Sequence, residues 1–291
     1  MIAPGPERRN RHFLGKTVGT RGRPRCNLPL VNLHALDLGG EGNPPLIILH
    51  GLLGSSRNWR KAGADLAAYF HVLALDLRNH GLSPRSPEQT FEAMAGDVLA
   101  SLDDRGLERV HLLGHSLGGK VAMLFACRHP ERTRVLYVVD IAPKPYPTDR
   151  HAFDALLRLE LRGLASRAEA EARLARDIPD RSLRLFLLSN LARDAAGEFF
   201  WQANLPVLAD ALPALRQAPL GPGDRFLGRA VFIAGGRSDF VTEADRPAIL
   251  ERFPNAAFEV LPETGHYPHV EAREGFVRAV VRWRDPPVPQ T

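Results

Sequence analysis

The chain has 291 residues, 44% of them hydrophobic, with a formal net charge of +5 and two cysteines. Such a chain can bury a full core, as one large α/β domain or as a core with an insertion, and two cysteines far apart in sequence suggest neither a disulfide framework nor a metal site. No apolar run approaches the roughly 18 residues of a membrane helix, and the amino terminus lacks the apolar core of a secretory signal, so a soluble, cytoplasmic protein is expected.

Residues 1–26 carry Arg8, Arg9, Arg11, Lys16, Arg21, Arg23 and Arg25 against Glu7 alone, a surplus of six positive charges, so the remainder sums to −1. The basicity therefore belongs to a tail rich in Gly, Pro and Arg. With no periodicity it reads as an unstructured extension rather than a nucleic-acid surface, and no nucleic-acid partner is expected.

After the tail, Leu30 to Leu38 alternates apolar and polar residues and predicts a strand ended by Gly39-Gly40. Leu46 to His50 is a continuous apolar run, the pattern of a central parallel strand covered on both faces. The loop His50-Gly51-Leu52-Leu53-Gly54 follows at its carboxyl end, where open α/β sheets place their ligands. A backbone N–H from such a loop, with the N–H after a nucleophile, can form an oxyanion hole, which makes Leu52 and Leu117 candidates through their main chain only. His50 reads as a packed, hydrogen-bonded loop residue. Trp59 to Phe70 predicts a helix, His71 to Leu75 a second buried strand, and Asp76 to Pro84 a polar turn held by Asp76 and Arg78.

A helix over Phe91 to Asp104 leads to Gly114-His115-Ser116-Leu117-Gly118, which fits Gly-x-Ser-x-Gly between an apolar strand and a helical apolar pattern. In that arrangement a strained turn lifts the hydroxyl above the sheet, so Ser116 is the candidate nucleophile. The amino end of the following helix, just beneath it, favours developing negative charge. Cys127 lies in that helix and reads as core. The next strand, Arg134 to Val139, delivers Asp140 at its carboxyl end.

From Ala142 to about Gly223 the pattern changes to amphipathic helices bracketed by Pro143, Pro145 and Pro147 on one side and Pro219 and Pro222 on the other. The expectation is an all-helical lid, residues 142–223, inserted into a core of residues 27–141 and 224–285. Phe153, Leu157, Phe186, Phe199, Phe200 and Trp201 read mainly as lid core, with an acyl pocket as the alternative lining role. Strands over Ala230 to Ala234 and Ala257 to Leu261 resume the sheet, and a helix to Trp283 closes the chain. Between them His266 stands in a glycine-proline loop, giving the order Ser, acid, His expected of α/β-hydrolases. His269, the nearby substitute, is expected to begin the last helix.

Two carboxylates compete to orient His266. Asp239 lies in the loop after Ala230 to Ala234, where such hydrolases most often carry the acid. That loop commonly runs Gly-x-x-Asp, one residue, then an apolar pair; here Ser238 falls in the acid slot and Phe240-Val241 form the pair. Asp239 is one residue late. Register therefore favours Asp140, reaching from the neighbouring strand end with Ser238 adding a hydrogen bond, and Asp239 stays the alternative.

His50-Gly-Leu-Leu-Gly-Ser, Asp76-Leu-Arg-Asn-His-Gly-Leu-Ser-Pro, Gly114-His-Ser-Leu-Gly-Gly-Lys, Val139-Asp-Ile-Ala-Pro, Gly235-Gly-Arg-Ser and Gly265-His together resemble the α/β-hydrolase superfamily. Within it they resemble the YbfF-type acyl esterases and their mitochondrial relatives, over about Leu46 to Trp283. The resemblance implies a mostly parallel central sheet flanked by helices, with a helical lid after the strand ending at Asp140. It implies a serine esterase acting on small to medium acyl esters, with acyl thioesters as a further class, and an acid at Asp140 assisted by Ser238. The Arg-rich extension and Asp239 beside the assisting serine depart from the pattern. No HExxH or clustered Cys/His spacing is visible, so neither metal nor organic cofactor is expected. Lactone or carbon-carbon bond hydrolysis and perhydrolysis are alternatives on the same scaffold. Dehalogenases and epoxide hydrolases would need aspartate at Ser116, and an intact triad argues against a non-catalytic binding protein. The expected partner is a small-molecule acyl ester or thioester, with the chain a monomer or homodimer.

Overall fold

The computed structural model describes residues 29–284; the basic extension, with Cys26, lies outside the described residues. A seven-stranded sheet is built from β1 (Ala35–Asp37), β2 (Pro45–Leu49), β3 (His71–Leu75), β4 (Val110–His115), β5 (Thr133–Val139), β8 (Arg229–Gly235) and β9 (Ala256–Leu261). Its spatial order is β1-β3-β2-β4-β5-β8-β9, with β1 antiparallel to β3 and every other neighbouring pair parallel. This is the parallel α/β architecture expected from the runs of Leu, Ile and Val.

The sheet is covered on both faces because its strands are apolar on both. In β2, Ile47 and Leu49 pack into one core with Met94 and Val98 of α2 (Phe91–Asp104) and Phe125 of α3 (Leu117–Arg128). Leu46 and Ile48 point the other way, toward Leu66 of α1 (Arg60–Leu66) and Phe276 and Val280 of α10 (Arg273–Arg282). The period-two alternation of side chains thus feeds two cores from one run of five residues. On the first face α8 (Arg246–Arg252) adds Ile249, and the short α9 (Pro268–Glu271) leads into α10.

Three elements differ from their sequence patterns. Leu30 to His34 does not join the sheet: Val31 N–H donates to Asp97 Oδ1 and His34 N–H to Ser83 Oγ, so side chains take donors a ladder would use. Over Ser56–Trp59 the chain makes a 3₁₀ turn before α1, which ends at Leu66 rather than Phe70.

The segment between β5 and β8 is also not all-helical. Besides α4 (His151–Arg158), α5 (Arg167–Leu174), α6 (Arg181–Leu188) and α7 (Leu205–Leu215) it holds an antiparallel hairpin of β6 (Leu191–Arg193) and β7 (Phe199–Trp201). Asp194 Oδ1 accepts the N–H groups of Ala196 and Glu198, and Gly197 takes a φ of 85°, so a local turn closes the hairpin. The insertion has its own apolar core, including Phe153, Leu156, Leu187 and Leu208, onto which Leu53 of the β2 loop packs.

Candidate active site

Ser116 connects β4 directly to α3, with φ 50° and ψ −115°. Only glycine fits the flanking positions: a Cβ at Gly114 would stand 2.2 Å from the Gly118 carbonyl oxygen, and one at Gly118 would stand 2.3 Å from that of Leu49. The turn can therefore close, and Ser116 N–H donates to Val139 O of β5 at 3.1 Å.

A positive φ recurs at neighbouring strand ends. Leu53 after β2 (φ 57°), Asn79 after β3 (φ 64°), Ser116 after β4 and Asp140 after β5 (φ 48°) are the described non-glycine residues with positive φ. Each costs of order 1 kcal/mol or more, and such strain gathers where geometry serves a site. Four adjacent strands thus turn their chains sharply at one sheet edge.

Asp140 is fully buried at the end of β5, and its N–H donates to Ile233 O of β8. Its Oδ1 accepts Gly235 N–H at 3.0 Å; its Oδ2 accepts from Ser238 Oγ and pairs with His266 Nδ1 at 2.7 Å. Asp239 is exposed, and among the described residues no bond joins it to His266. The carboxylate beside His266 is thus that of Asp140, with Ser238 on the same oxygen. The imidazole is held face-on by Phe240, whose ring lies 3.9 Å away at 22°. Tyr146 Oη, which accepts Ala142 N–H, donates to Phe240 O at 2.7 Å and braces that loop.

Ser116 and His266 line one cavity of about 160 Å³, without a hydrogen bond between them. Leu52 lines it too; Leu53 N–H is engaged by His80 Nε2 and Gly54 N–H by Gly51 O. Leu117, as the first residue of α3, has an N–H with no acceptor within the helix. Of the six insertion residues considered for a pocket, Phe186 lines the cavity, Phe153 and Phe199 are buried in the insertion's own core, and Leu157 and Phe200 are exposed. Trp201 is packed partly against that core. Phe240, first of the apolar pair in the acid-loop pattern, is also in the lining, as are Tyr267, Asn58 and Arg216, which carry no motif signal beyond adjacency to the loops. His269 is the second residue of the short α9 and so precedes the last helix rather than beginning it; it is buried, stacked on Trp59 at 4.1 Å.

Four buried histidines around this site, His50, His80, His115 and His269, have their pKa values lowered by burial. His50 donates from Nδ1 to Gly51 O and accepts Leu77 N–H at Nε2, the packed role its position suggests. Burial lowers its pKa against the pull of Asp76. Burial also lowers His80 and His269 to about 3, and lowers His115 well below its ordinary value, helped by His266 and His269 nearby.

The polar turn after β3 is held differently from the expectation. Asp76 accepts Ser56 and Leu82 N–H groups as foreseen, but Arg78 reaches across to α2, where its guanidinium pairs with Asp97 at 2.6 and 2.7 Å. Lys120, four residues past Ser116, is buried and donates to the carbonyls of Leu215, Arg216 and Gln217 at the end of α7. Burial, with Arg216 close by, lowers its pKa to about 7. These bonds, with Asn190 Nδ2 to Leu53 O and Asn204 N–H to Asn79 O, tie the insertion to the sheet edge.

Comparison with known proteins agrees with this architecture. Residues 44–272 match the family described as alpha/beta hydrolase fold. The chain is 33% identical over 245 residues to Esterase YbfF of Escherichia coli (strain K12), covering 84% of this chain and 94% of that protein. It is 34% identical over 246 residues to the sn-1-specific diacylglycerol lipase ABHD11 of Mus musculus, covering 81% and 80% respectively. Among solved structures, one described as a marine microorganism esterase superposes with a TM-score of 0.84 at 34% identity, covering 87% of this chain and 99% of that one. The chain belongs to the α/β-hydrolase family.

Proposed function

From that membership, we propose that the protein is a carboxylic ester hydrolase working through Ser116, His266 and Asp140, with a covalent acyl-enzyme intermediate. The observation that carries this reading is the shared cavity of Ser116 and His266, with a buried carboxylate at 2.7 Å on the far imidazole nitrogen. Relatives named as an esterase and a diacylglycerol lipase support ester chemistry.

With Nδ1–H donating to Asp140, Nε2 of His266 is the basic nitrogen. It takes the Ser116 proton as the hydroxyl oxygen bonds to the ester carbonyl carbon; the N–H groups of Leu52 and Leu117 hold the oxyanion. The proton passes from His266 to the departing alkoxide. Water, deprotonated by His266, then releases the carboxylic acid and restores Ser116. Ser238 and Gly235 N–H hold Asp140 in place for the imidazolium that forms.

The substrate class is small to medium acyl esters, with acyl thioesters as a second class. A cavity of about 160 Å³ is below the roughly 300 Å³ at which drug-sized pockets begin, which supports a short acyl group. Residues 142–223 act as a lid, with Phe186 over the cavity. Ser116→Ala is expected to cut turnover of a p-nitrophenyl acyl ester by about 10⁴-fold or more. Wild-type turnover in that variant would defeat the mechanism, and rates across esters and acyl-CoA thioesters of increasing length would identify the acyl group.

A further inference from the structure

The loop that carries His266 is held by its backbone as well as by its imidazole. His115 Nε2 lies 2.7 Å from the His266 carbonyl oxygen, an acceptor, so His115 donates there. From the opposite, solvent side the Glu271 carboxylate accepts Gly265 N–H at 2.7 Å and Tyr267 N–H at 3.0 Å. Polar groups of three consecutive residues, 265 to 267, are thereby engaged by two side chains.

His115 immediately precedes Ser116, so its imidazole and the serine hydroxyl share one stretch of backbone. That backbone is rigid: β4 is buried throughout, Ser116 N–H is bound to Val139 O, and a Cβ at Gly51 would approach His115 Nδ1 to 2.9 Å. The imidazole itself is buried and packed among the rings of His266, Tyr267 and His269.

We propose that His115 is a positioning residue for the hydrolysis: its hydrogen bond to the His266 main chain sets the separation between Ser116 and the His266 ring, and Glu271 braces the same loop from outside. This rests on the reading of Ser116 and His266 as nucleophile and base. The low pKa of His115 supports it, because a histidine that stays singly protonated keeps the Nε2–H bond through the working range. Asp140 and Phe240 orient the imidazole; His115 fixes where its backbone stands.

The test compares His115→Gln with His115→Asn. Both are smaller amides, but the glutamine amide nitrogen takes the place of Nε2 and can donate to the His266 carbonyl, whereas the asparagine amide falls short. The expected result is kcat within about threefold of the parent for Gln and roughly ten- to a hundredfold lower for Asn at similar KM, the cost of a misplaced catalytic pair. Labelling of Ser116 by a fluorophosphonate, per folded molecule, should slow in parallel, and Glu271→Gln should shift kcat in the same direction by less. Equal kcat in the Gln and Asn variants, or a loss carried by KM, overturns the proposal. The Ser116→Ala control separates the two readings: if it is inactive while Gln and Asn behave alike, only the positioning role fails.

Discussion

Two buried carboxylates on the same scaffold, Asp97 and Asp140, are both fully buried and both accept several hydrogen bonds. Asp97 meets a guanidinium through two short bonds, and that guanidinium is further bound by the carbonyls of Pro29, Glu88 and Ala93. A guanidinium offers donors only, and what results is a staple between the β3 loop and α2. Asp140 instead meets a hydroxyl, a backbone N–H and an imidazole that is 21% exposed at the cavity. That imidazole, a side chain suited to proton transfer, lies in the wall of the cavity. Burial of a carboxylate is common to both; the chemistry of the partner distinguishes a fastening from a site.

That contrast yields opposite outcomes for the same substitution. Asp140→Asn is expected to lower kcat by roughly 10³- to 10⁴-fold, since the amide favours the wrong imidazole tautomer, while the melting temperature moves little. Asp239→Asn should leave kcat within about twofold, and a severe loss there would transfer the acid role to the exposed loop. Asp97→Asn should destabilise the fold by about 3–5 kcal/mol in urea titration, because it strands the buried Arg78 charge, with turnover per folded molecule unchanged. Normal stability in that variant would erase the contrast.

A smaller effect is graded with pH. His50, His80, His115 and His269 have folded pKa values below their usual 6.5, so between the folded and unfolded values the unfolded chain binds the extra protons. Stability should therefore fall as pH drops below 6.5, by about 1 kcal/mol at pH 5.5 for each histidine lowered to about 3, His80 and His269. Urea unfolding at pH 7.5 and 5.5 measures this, and His80→Gln should flatten the slope. An unchanged midpoint would contradict the buried, uncharged assignment.

The features legible in the sequence are those that local sterics and apolar runs dictate. Gly114 and Gly118 leave Ser116 one way to turn between a buried strand and a helix, and β2, β4, β5 and β8 are read directly from runs of Leu, Ile and Val. Where long-range partners compete, local pattern does not decide: side chains of Asp97 and Ser83 bind the Val31 and His34 N–H groups outside the sheet, and the Phe-Phe-Trp run of β7 pairs as a strand, as aromatics favour, inside a segment whose pattern predicts helices. Between Asp140 and Asp239 the sequence offers a one-residue register and a family resemblance, both favouring Asp140, but no spatial contact. The pairing of β5 with β8 is what carries the Asp140 carboxylate to Ser238 and His266 and leaves Asp239 in solvent. The contacts of His115 and Phe240 with His266 likewise join segments far apart in the chain, and no local pattern encodes which loops a twisted sheet brings to one edge.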